Sequence, residues 1–262
     1  GLMSYFEDNG YRCILENLRL YTKWGEKWYN HTDYLPPVQA AIQEMLSIKV
    51  DGIIYLAGHA RYIDFLPTDL DIPIVISYAL SKDNNFTSVS IDHFISAYKI
   101  TEHLIKKNHK KIAVVAGTQN NIHNVLRLEG YKKALLDNEI PFDDSLIYNG
   151  NWDKPSGYQA CKNFESKNIS FDTVFSFNDN MAAGVYDYFI EKNLTIGQDA
   201  FVAGFDNQVV CEYMNPPLTT MQIPLIEIGK RSAEELLAFI NNEKSTKENI
   251  SIPCSLIERK SV

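Results

Sequence analysis

The sequence predicts an α/β protein made of two doubly wound lobes, each built on a parallel sheet. Two observations predict this fold class: short apolar runs recur along the chain, and amphipathic segments separate them. Continuous rather than alternating apolarity is typical of strands that are covered on both faces. The predicted strands are VDGIIYLA (50–57), IPIVISYA (72–79), KKIAVVAG (110–117), FDTVFSF (171–177) and DAFVAGF (199–205).

The segments between the strands have the spacing of helices with one apolar face. Helices are predicted over 96–109, over 179–192, where Asp179 can cap the N-terminus, and over 229–240. A polar loop, NNEKSTKEN, and a last strand, ISIPCSLIER, follow. Strand and helix alternation implies right-handed crossovers, with ligands bound at the carboxyl ends of the strands.

Composition excludes several classes of protein. The chain has 262 residues, of which 45% are hydrophobic and 22% charged, so it is not intrinsically disordered. A net charge of −8 argues against a surface that grips DNA by itself. The chain has no apolar run of membrane-spanning length and no signal-peptide pattern at its start, which predicts a cytoplasmic protein without a membrane partner.

Motifs for catalysis are missing from the sequence. There is no glycine-rich dinucleotide or phosphate loop, no nucleophile elbow and no H-E-x-x-H zinc motif. The four cysteines lie far apart and do not pair as metal ligands. Six scattered histidines are more readily explained as surface or core residues than as bases, although folding can bring some of them together. The sequence therefore predicts no cofactor, no metal site and no enzyme; a cytoplasmic enzyme of doubly wound fold stays as a further alternative, which turnover of a candidate ligand would support.

Polar residues follow two of the predicted strands at the point where each one ends. Asn178 and Asp179 follow Phe177, and Asp206 and Asn207 follow Phe205. Such side chains can orient the hydroxyl groups of a neutral ligand. Asn and Asp also favour turns and helix caps at these positions, so spacing alone leaves both explanations open.

Several motifs in order resemble the effector-binding domain of the LacI/GalR family of bacterial transcription regulators. They are IDHFISAYKITEHLIKKNHKKIAVVAG (91–117), RLEGYKKAL (127–135), SFNDNMAAGVYDYF (176–189), FVAGFDN (201–207), PPLTTMQIPLIEIGKRSAEELL (216–237) and SLIERKSV (255–262). The resemblance implies a periplasmic-binding-protein-like fold, in which three chain crossings join two lobes that close on a small effector. It assigns 1–108 plus 221–249 to the N-terminal lobe and 109–220 plus 250–262 to the C-terminal lobe.

The resemblance also implies a set of ligand-binding residues. Asp206 and Asn178 match positions that accept hydrogen bonds from effector hydroxyls, and Arg127 matches a donor position. Trp152 matches an aromatic position beside the ligand, and Leu225 one that touches it. Each has an alternative explanation: Arg127, taken to start a helix, as a surface partner of Glu129 or Asp137, and Trp152 and Leu225 as buried apolar residues.

The function that the resemblance implies is effector sensing in a homodimeric LacI-type repressor. The effector is expected to be a sugar-like small molecule, and operator DNA is expected to bind through an N-terminal helix-turn-helix domain absent from this chain. The alternative is a periplasmic sugar-binding protein of a transporter, which shares the fold. Gly1 matches the inside of the family's first helix, so we expect a longer natural protein. The segment 22–34, TKWGEKWYNHTDY, is an insertion, either a surface excursion or a contact with a partner subunit.

Overall fold

The computed structural model describes residues 1–20, 22, 33–58, 61–244 and 246–262. The insertion over 22–34 therefore lies almost entirely outside the described residues. The helices are α1 (Leu2–Asp8), α2 (Leu35–Ser47), α3 (His93–Lys106), α4 (Ile122–Asp137), α5 (Lys154–Ser166), α6 (Asp179–Glu191), α7 (Val210–Tyr213) and α8 (Leu225–Ile240). The strands are β1 (Ile53–Leu56), β2 (Tyr62–Ile63), β3 (Ile74–Ser77), β4 (Leu80–Ser81), β5 (Thr87–Asp92), β6 (Ile112–Ala116), β7 (Ile147–Asn149), β8 (Thr173–Ser176), β9 (Val202–Asp206), β10 (Thr219–Gln222), β11 (Asn249–Pro253) and β12 (Ser255–Ile257).

The chain divides into two compact units. Each unit contains helices and a sheet with parallel strands, which confirms the predicted α/β class. Unit 1 holds residues 1–90 and 225–250, and unit 2 holds 91–224 and 251–262. The family resemblance places the first boundary between the lobes after residue 108, whereas the first segment of unit 1 ends at residue 90. The residues between these two positions include helix α3. Helix α3 belongs to unit 2 because it packs closely on α4, where a Cβ atom on Gly130 would lie 2.2 Å from the Phe94 carbonyl oxygen.

The main sheet of unit 1 has the strand order β1-β3-β5-β11, and β3 runs parallel to both β1 and β5. Its two faces are covered by different helices. Ile76 packs into one cluster with Val38 and Ile42 of α2, whereas Val75 packs into another with Phe6 of α1 and with α8. Neighbouring residues of β3 are thus buried on opposite faces, which explains its continuous apolar sequence.

Unit 2 is built on a six-stranded sheet with the order β12-β10-β9-β8-β6-β7. All of its pairings are parallel except β10 with β12, which is antiparallel. Helices α5 and α6 approach each other closely at two glycines. A Cβ atom would lie 1.9 Å from a carbonyl oxygen of the facing helix at both Gly157 and Gly184, so neither position has room for a side chain.

Within the described ranges, no helix is both long enough and apolar enough to cross a membrane.

Candidate functional site

The candidate site lies in unit 2, at the carboxyl ends of neighbouring strands. Strands β9, β8 and β6 are adjacent and parallel, so the residues that follow them, from Gly117, Phe177 and Asp206 onward, meet at one edge of the sheet. Strand β7 pairs in parallel with β6, which brings Trp152 to the same edge. Four of the five predicted ligand-binding residues therefore belong to this unit.

Arg127 is the buried centre of this edge. Its side chain is only 3% exposed, and its guanidinium carbon lies 3.5 Å from the centre of the Phe205 ring. The Nε atom donates to Nδ1 of His93 at 3.3 Å, and one terminal nitrogen donates to the carbonyl oxygen of Phe177. A charged group this deep needs partners that use its donors, and these residues supply them.

The structure corrects two expectations about Arg127. The residue does not start a helix, because α4 begins at Ile122 and places Arg127 more than one turn inside. It is not a surface partner of Glu129 or Asp137 either, because it is buried against Phe205.

Asp206 pairs with Arg127 at the end of β9. Its Oδ1 atom lies 3.5 Å from a terminal nitrogen of Arg127, and about a fifth of its side chain, 21%, is exposed. Burial raises the pKa of Asp206 to about 7; the Arg127 charge lowers this pKa and the nearby Asp179 carboxylate raises it. Asp206 and Asn207 both have positive φ, at 117° and 55°, a backbone conformation that is uncommon away from glycine and typical of functional sites.

Asp179 holds the loop that follows Asp206. Its two oxygens accept from the Thr220 hydroxyl at 2.7 Å and from the backbone N–H of Gln208 at 2.8 Å. Burial raises the pKa of this carboxyl group. The predicted capping role of Asp179 is wrong, because this residue is the first of α6 and points into the core.

Asn178 is the residue that caps α6. Its Oδ1 atom accepts from the backbone N–H of Met181 at 2.8 Å, and its Nδ2 atom donates to the carbonyl oxygen of Trp152 at 2.8 Å. One amide therefore starts a helix and fixes the backbone of the aromatic residue beside the site. The cap explanation offered by the sequence is therefore confirmed for Asn178, and its role as a ligand-binding residue stays a prediction.

Trp152 forms a partly exposed wall of the site. The residue has a positive φ of 68°, and its indole nitrogen donates to the Thr118 hydroxyl at 3.2 Å. Its ring lies directly over Gly117, where an added Cβ atom would be 1.9 Å from the ring. The Arg127 guanidinium carbon is 5.8 Å from the ring centre. The ring is thus half-buried at the edge of the sheet and not part of the core.

Two histidines join this site although the sequence did not single them out. Nε2 of His93 lies 2.9 Å from Nδ1 of His123, and the His123 ring centre is 6.2 Å from that of Trp152. His93 directly follows β5, so the same rule about strand ends would have found it had β5 been recognised. That strand, TSVSID, was missed because its buried residues include serine and threonine as well as valine and isoleucine.

Leu225, the fifth predicted ligand-binding residue, belongs to the other unit. It is the first residue of α8 in unit 1, and 61% of it is exposed. Burial therefore does not explain the apolar residue at this position.

The side chains at this edge offer hydrogen-bonding groups and an aromatic face. They combine a guanidinium group, a carboxyl group with a pKa near neutrality, two imidazoles and a partly exposed indole. Such a set can orient a polar ring whose C–H face lies on the indole. Among the described residues, no three His, Cys, Asp or Glu side chains are grouped as a metal ion would need.

Comparison with known proteins finds regulators of transcription. Residues 101–262 match the periplasmic binding protein-like domain family. The chain is 30% identical to the HTH-type transcriptional repressor PurR of Vibrio atlanticus over 264 residues, covering 100% of this chain and 75% of that protein. It is 29% identical to catabolite control protein A of Priestia megaterium over 215 residues, covering 81% of this chain and 64% of that protein.

A solved structure shares the fold over the whole chain. The complex of the transcriptional regulator CelR with cellobiose superimposes with a TM-score of 0.78 at 24% identity, covering 100% of this chain and 76% of that one. The proteins that this chain resembles are regulators of transcription, which favours the regulator over the transporter-linked binding protein.

Proposed function

The chain belongs to the LacI/GalR family of bacterial transcription regulators, and we propose that it is the effector-sensing part of a cytoplasmic repressor that responds to a sugar-like molecule. The chain spans 64% of the length of catabolite control protein A and 75% of that of PurR. Operator DNA would be bound by a helix-turn-helix domain preceding this part, because a net charge of −8 does not favour contact with phosphates.

The observation that carries the proposal is the paired Arg127 and Asp206 beside the partly exposed Trp152. A carboxyl oxygen accepts from hydroxyl groups in a fixed direction, and an indole face suits the C–H face of a pyranose or furanose ring. Asn178 would act through Trp152, whose carbonyl oxygen it holds at 2.8 Å. Leu225 is kept as a proposed ligand contact because of its family position alone.

The proposed mechanism is a shift of population between two conformations of the regulator. An effector that binds one conformation more tightly than the other favours the first by the difference in binding free energy. The attached DNA-binding domains would then change their spacing on the operator. No chemical step is needed, so the proposed protein is not an enzyme, and an effector recovered after incubation should be unchanged.

The regulator is proposed to act as a homodimer, as a two-fold symmetric operator requires. An exposed apolar patch on unit 2 supports this: Val209 is 75% exposed and Tyr213 81% exposed, with Val210 beside them. Patches of this kind mark association surfaces. Sedimentation of the chain and of a Val209→Glu, Tyr213→Glu variant tests the proposal, which requires a dimer that the double substitution dissociates.

A thermal-shift screen with monosaccharides, disaccharides and purines tests the effector class. A molecule that binds only the folded chain must raise its melting temperature. We expect one or more saccharides to do so, and expect Asp206→Asn to weaken that shift while Asp187→Asn, on the surface, leaves it unchanged. A shift with purines alone would show that the sugar assignment is wrong.

A further inference from the structure

Arg127, His93 and His123 form a continuous hydrogen-bonded chain. His93 is the first residue of α3 and is buried, while His123, in the first turn of α4, is partly exposed. The Nε atom of Arg127 lies 3.3 Å from Nδ1 of His93, and Nε2 of His93 lies 2.9 Å from Nδ1 of His123. Both nitrogens of the His93 ring therefore take part in hydrogen bonds, and the donor and acceptor of each bond can be deduced.

The direction of these two hydrogen bonds follows from the chemistry of Arg127. A guanidinium group carries only donors, so Nδ1 of His93 must be the acceptor and cannot carry a hydrogen. A neutral His93 then has its hydrogen on Nε2, and this hydrogen is donated to Nδ1 of His123. Nδ1 of His123 is thereby an acceptor as well, and the hydrogen of a neutral His123 ring is on Nε2.

The surroundings also disfavour the charged form of His93. Burial and the Arg127 charge both lower the pKa of His93, and His123 lowers it further. A proton added to Nδ1 of His123 would face the Nε2 hydrogen of His93 across 2.9 Å. Among the described residues, Asp206 pairs with Arg127, Asp179 accepts from Thr220 and Gln208, and Asp92 caps α3.

We propose that His93 is a positioning residue that fixes His123 as the neutral tautomer with its hydrogen on Nε2, which makes His123 a hydrogen-bond donor of fixed direction in the effector site. The tautomer itself is independent of any effector, and only its use in recognition rests on the proposed function. The His123 ring stands edge-on to Trp152, with 6.2 Å between ring centres. His123 is therefore close enough to Trp152 to donate a hydrogen bond to a ligand that packs on the indole ring.

The consequence is a preference in ligand chemistry. At His123 the site favours an effector that presents an acceptor oxygen, such as a hydroxyl, ring or carbonyl oxygen, and disfavours a protonated amino group. Acid should strengthen the rejection of a protonated amino group, because a proton taken up by His123 adds a positive charge while Nε2 keeps its hydrogen.

Long-range ¹H–¹⁵N NMR of the histidine rings tests the tautomer directly, since nitrogen shifts distinguish the two neutral forms and the charged one. The test uses three variants. His93→Gln keeps the polarity, because its amide oxygen accepts from Arg127 and its amide nitrogen donates to His123. His93→Glu offers only acceptors and should draw a proton onto Nδ1 of His123. His103→Gln, later on the same helix, is the control.

We expect both rings of the original chain to carry their hydrogen on Nε2 at pH 7. The titration midpoint of His123 should be nearly the same in His93→Gln and the control, and higher by about one pH unit or more in His93→Glu. Hydrogen on Nδ1 of either ring, or a His123 midpoint indifferent to the Gln and Glu substitutions, would overturn the proposal. If His93→Glu does not fold, the spectra of the original chain and of His93→Gln still decide.

The recognition step is tested with the saccharide that gives the largest thermal shift and with its amino analogue. The proposal requires the amino compound to bind at least about tenfold more weakly in the original chain. It requires this ratio to fall in His93→Glu at a pH above the His123 midpoint, where the neutral ring carries its hydrogen on Nδ1 and its Nε2 atom becomes an acceptor. Equal binding of the two compounds would show that His123 does not distinguish a hydroxyl group from a protonated amino group. Absence of binding by every saccharide would instead refute the proposed function and leave the tautomer result standing.

Discussion

The guanidinium group of Arg127 rests on the face of the Phe205 ring, with 3.5 Å between its central carbon and the ring centre. The ring is fully buried in β9, the strand that ends at Asp206. The aromatic residue before the carboxylate therefore supports the cation, and the carboxylate after it pairs with the same cation. Because a buried aromatic face attracts a desolvated cation, the two neighbouring residues hold Arg127 from two directions.

Replacing Phe205 by Leu should weaken both folding and effector binding. The change removes the ring under Arg127 and should lower the free energy of unfolding by about 2 to 4 kcal/mol, combining lost core packing with lost cation–π contact. Urea unfolding gives the stability, and the saccharide thermal shift gives the binding. Phe175→Leu, another fully buried Phe in the same sheet, is the matched control. It should cost stability without changing affinity, and an equal loss of affinity in both variants would contradict a specific role for the Phe205 ring.

The carboxyl group of Asp206 should make stability depend on pH. Its folded-state pKa of about 7 lies above the ordinary value of 3.8, so the folded chain keeps a proton that the unfolded chain releases. Between these two values stability falls as the pH rises, and the loss is complete above pH 7. The Asp206→Asn variant lacks this loss, so its stability relative to the original chain should increase by roughly 2 to 4 kcal/mol between pH 4 and pH 8.

Urea unfolding of both proteins at one-unit pH intervals measures this difference. Asp187→Asn serves as the control, because Asp187 is an exposed residue in a surface pair with Lys154 at 2.7 Å. The control should follow the original chain at every pH. A stability difference between Asp206→Asn and the original chain that stays constant from pH 4 to pH 8 would show that Asp206 has an ordinary pKa.

The two functions of Asn178 can be separated by substitution. Asn178→Asp keeps an oxygen that caps α6 but loses the amide that donates to Trp152, whereas Asn178→Ala loses both. We expect the Ala variant to lose about 1 to 2 kcal/mol of unfolding free energy and the Asp variant clearly less. Effector affinity should fall in both. If the Asp variant bound the effector as well as the original chain, the contact between Asn178 and Trp152 would have no part in recognition.

The strands predicted from continuous apolar runs are present, because burial on both faces leaves the clearest pattern in a sequence. IPIVISYA contains β3, KKIAVVAG contains β6 and DAFVAGF contains most of β9. Strand β5 and the short β7 and β10 lack such runs. Thr219 and Thr220 of β10 are fully buried, and their hydroxyls bond with Arg259 and Asp179. A polar residue buried with its partner has no signature in a single sequence.

The sequence predicts only some residues of the candidate site, because the rule it uses depends on recognising the strands first. The rule that ligands meet strand ends selected Asn178 and Asp206 from local sequence, but left open whether they serve as caps. It did not select His93, because its strand was not recognised. The contact of His93 with His123 joins residues 30 positions apart in the chain. Only the packing of α3 on α4 brings them together, and no pattern along the sequence encodes that distance.

Gly117 is the position where a single methyl group should damage the site most directly. A Cβ atom there would lie 1.9 Å from the Trp152 ring, so Gly117→Ala must displace the indole from its place beside Arg127. We expect effector binding to be lost, because the ring face that is proposed to support the ligand would move. The cost in stability should be smaller than for a core substitution, since the ring is half-buried and can turn toward solvent.

Tryptophan fluorescence reports the displacement once Trp152 is the sole tryptophan. The chain has three, so Trp24→Phe and Trp28→Phe are made in the same background. The emission of Gly117→Ala should shift to the red as the indole meets water, and its quenching by iodide should increase. Thr118→Val is the matched control: it removes the hydroxyl that accepts from the indole nitrogen at 3.2 Å but leaves the space under the ring open. It should change emission and affinity less. If Gly117→Ala kept the original emission and the original affinity, the ring would not lie over this glycine, and Trp152 would not be a wall of the effector site.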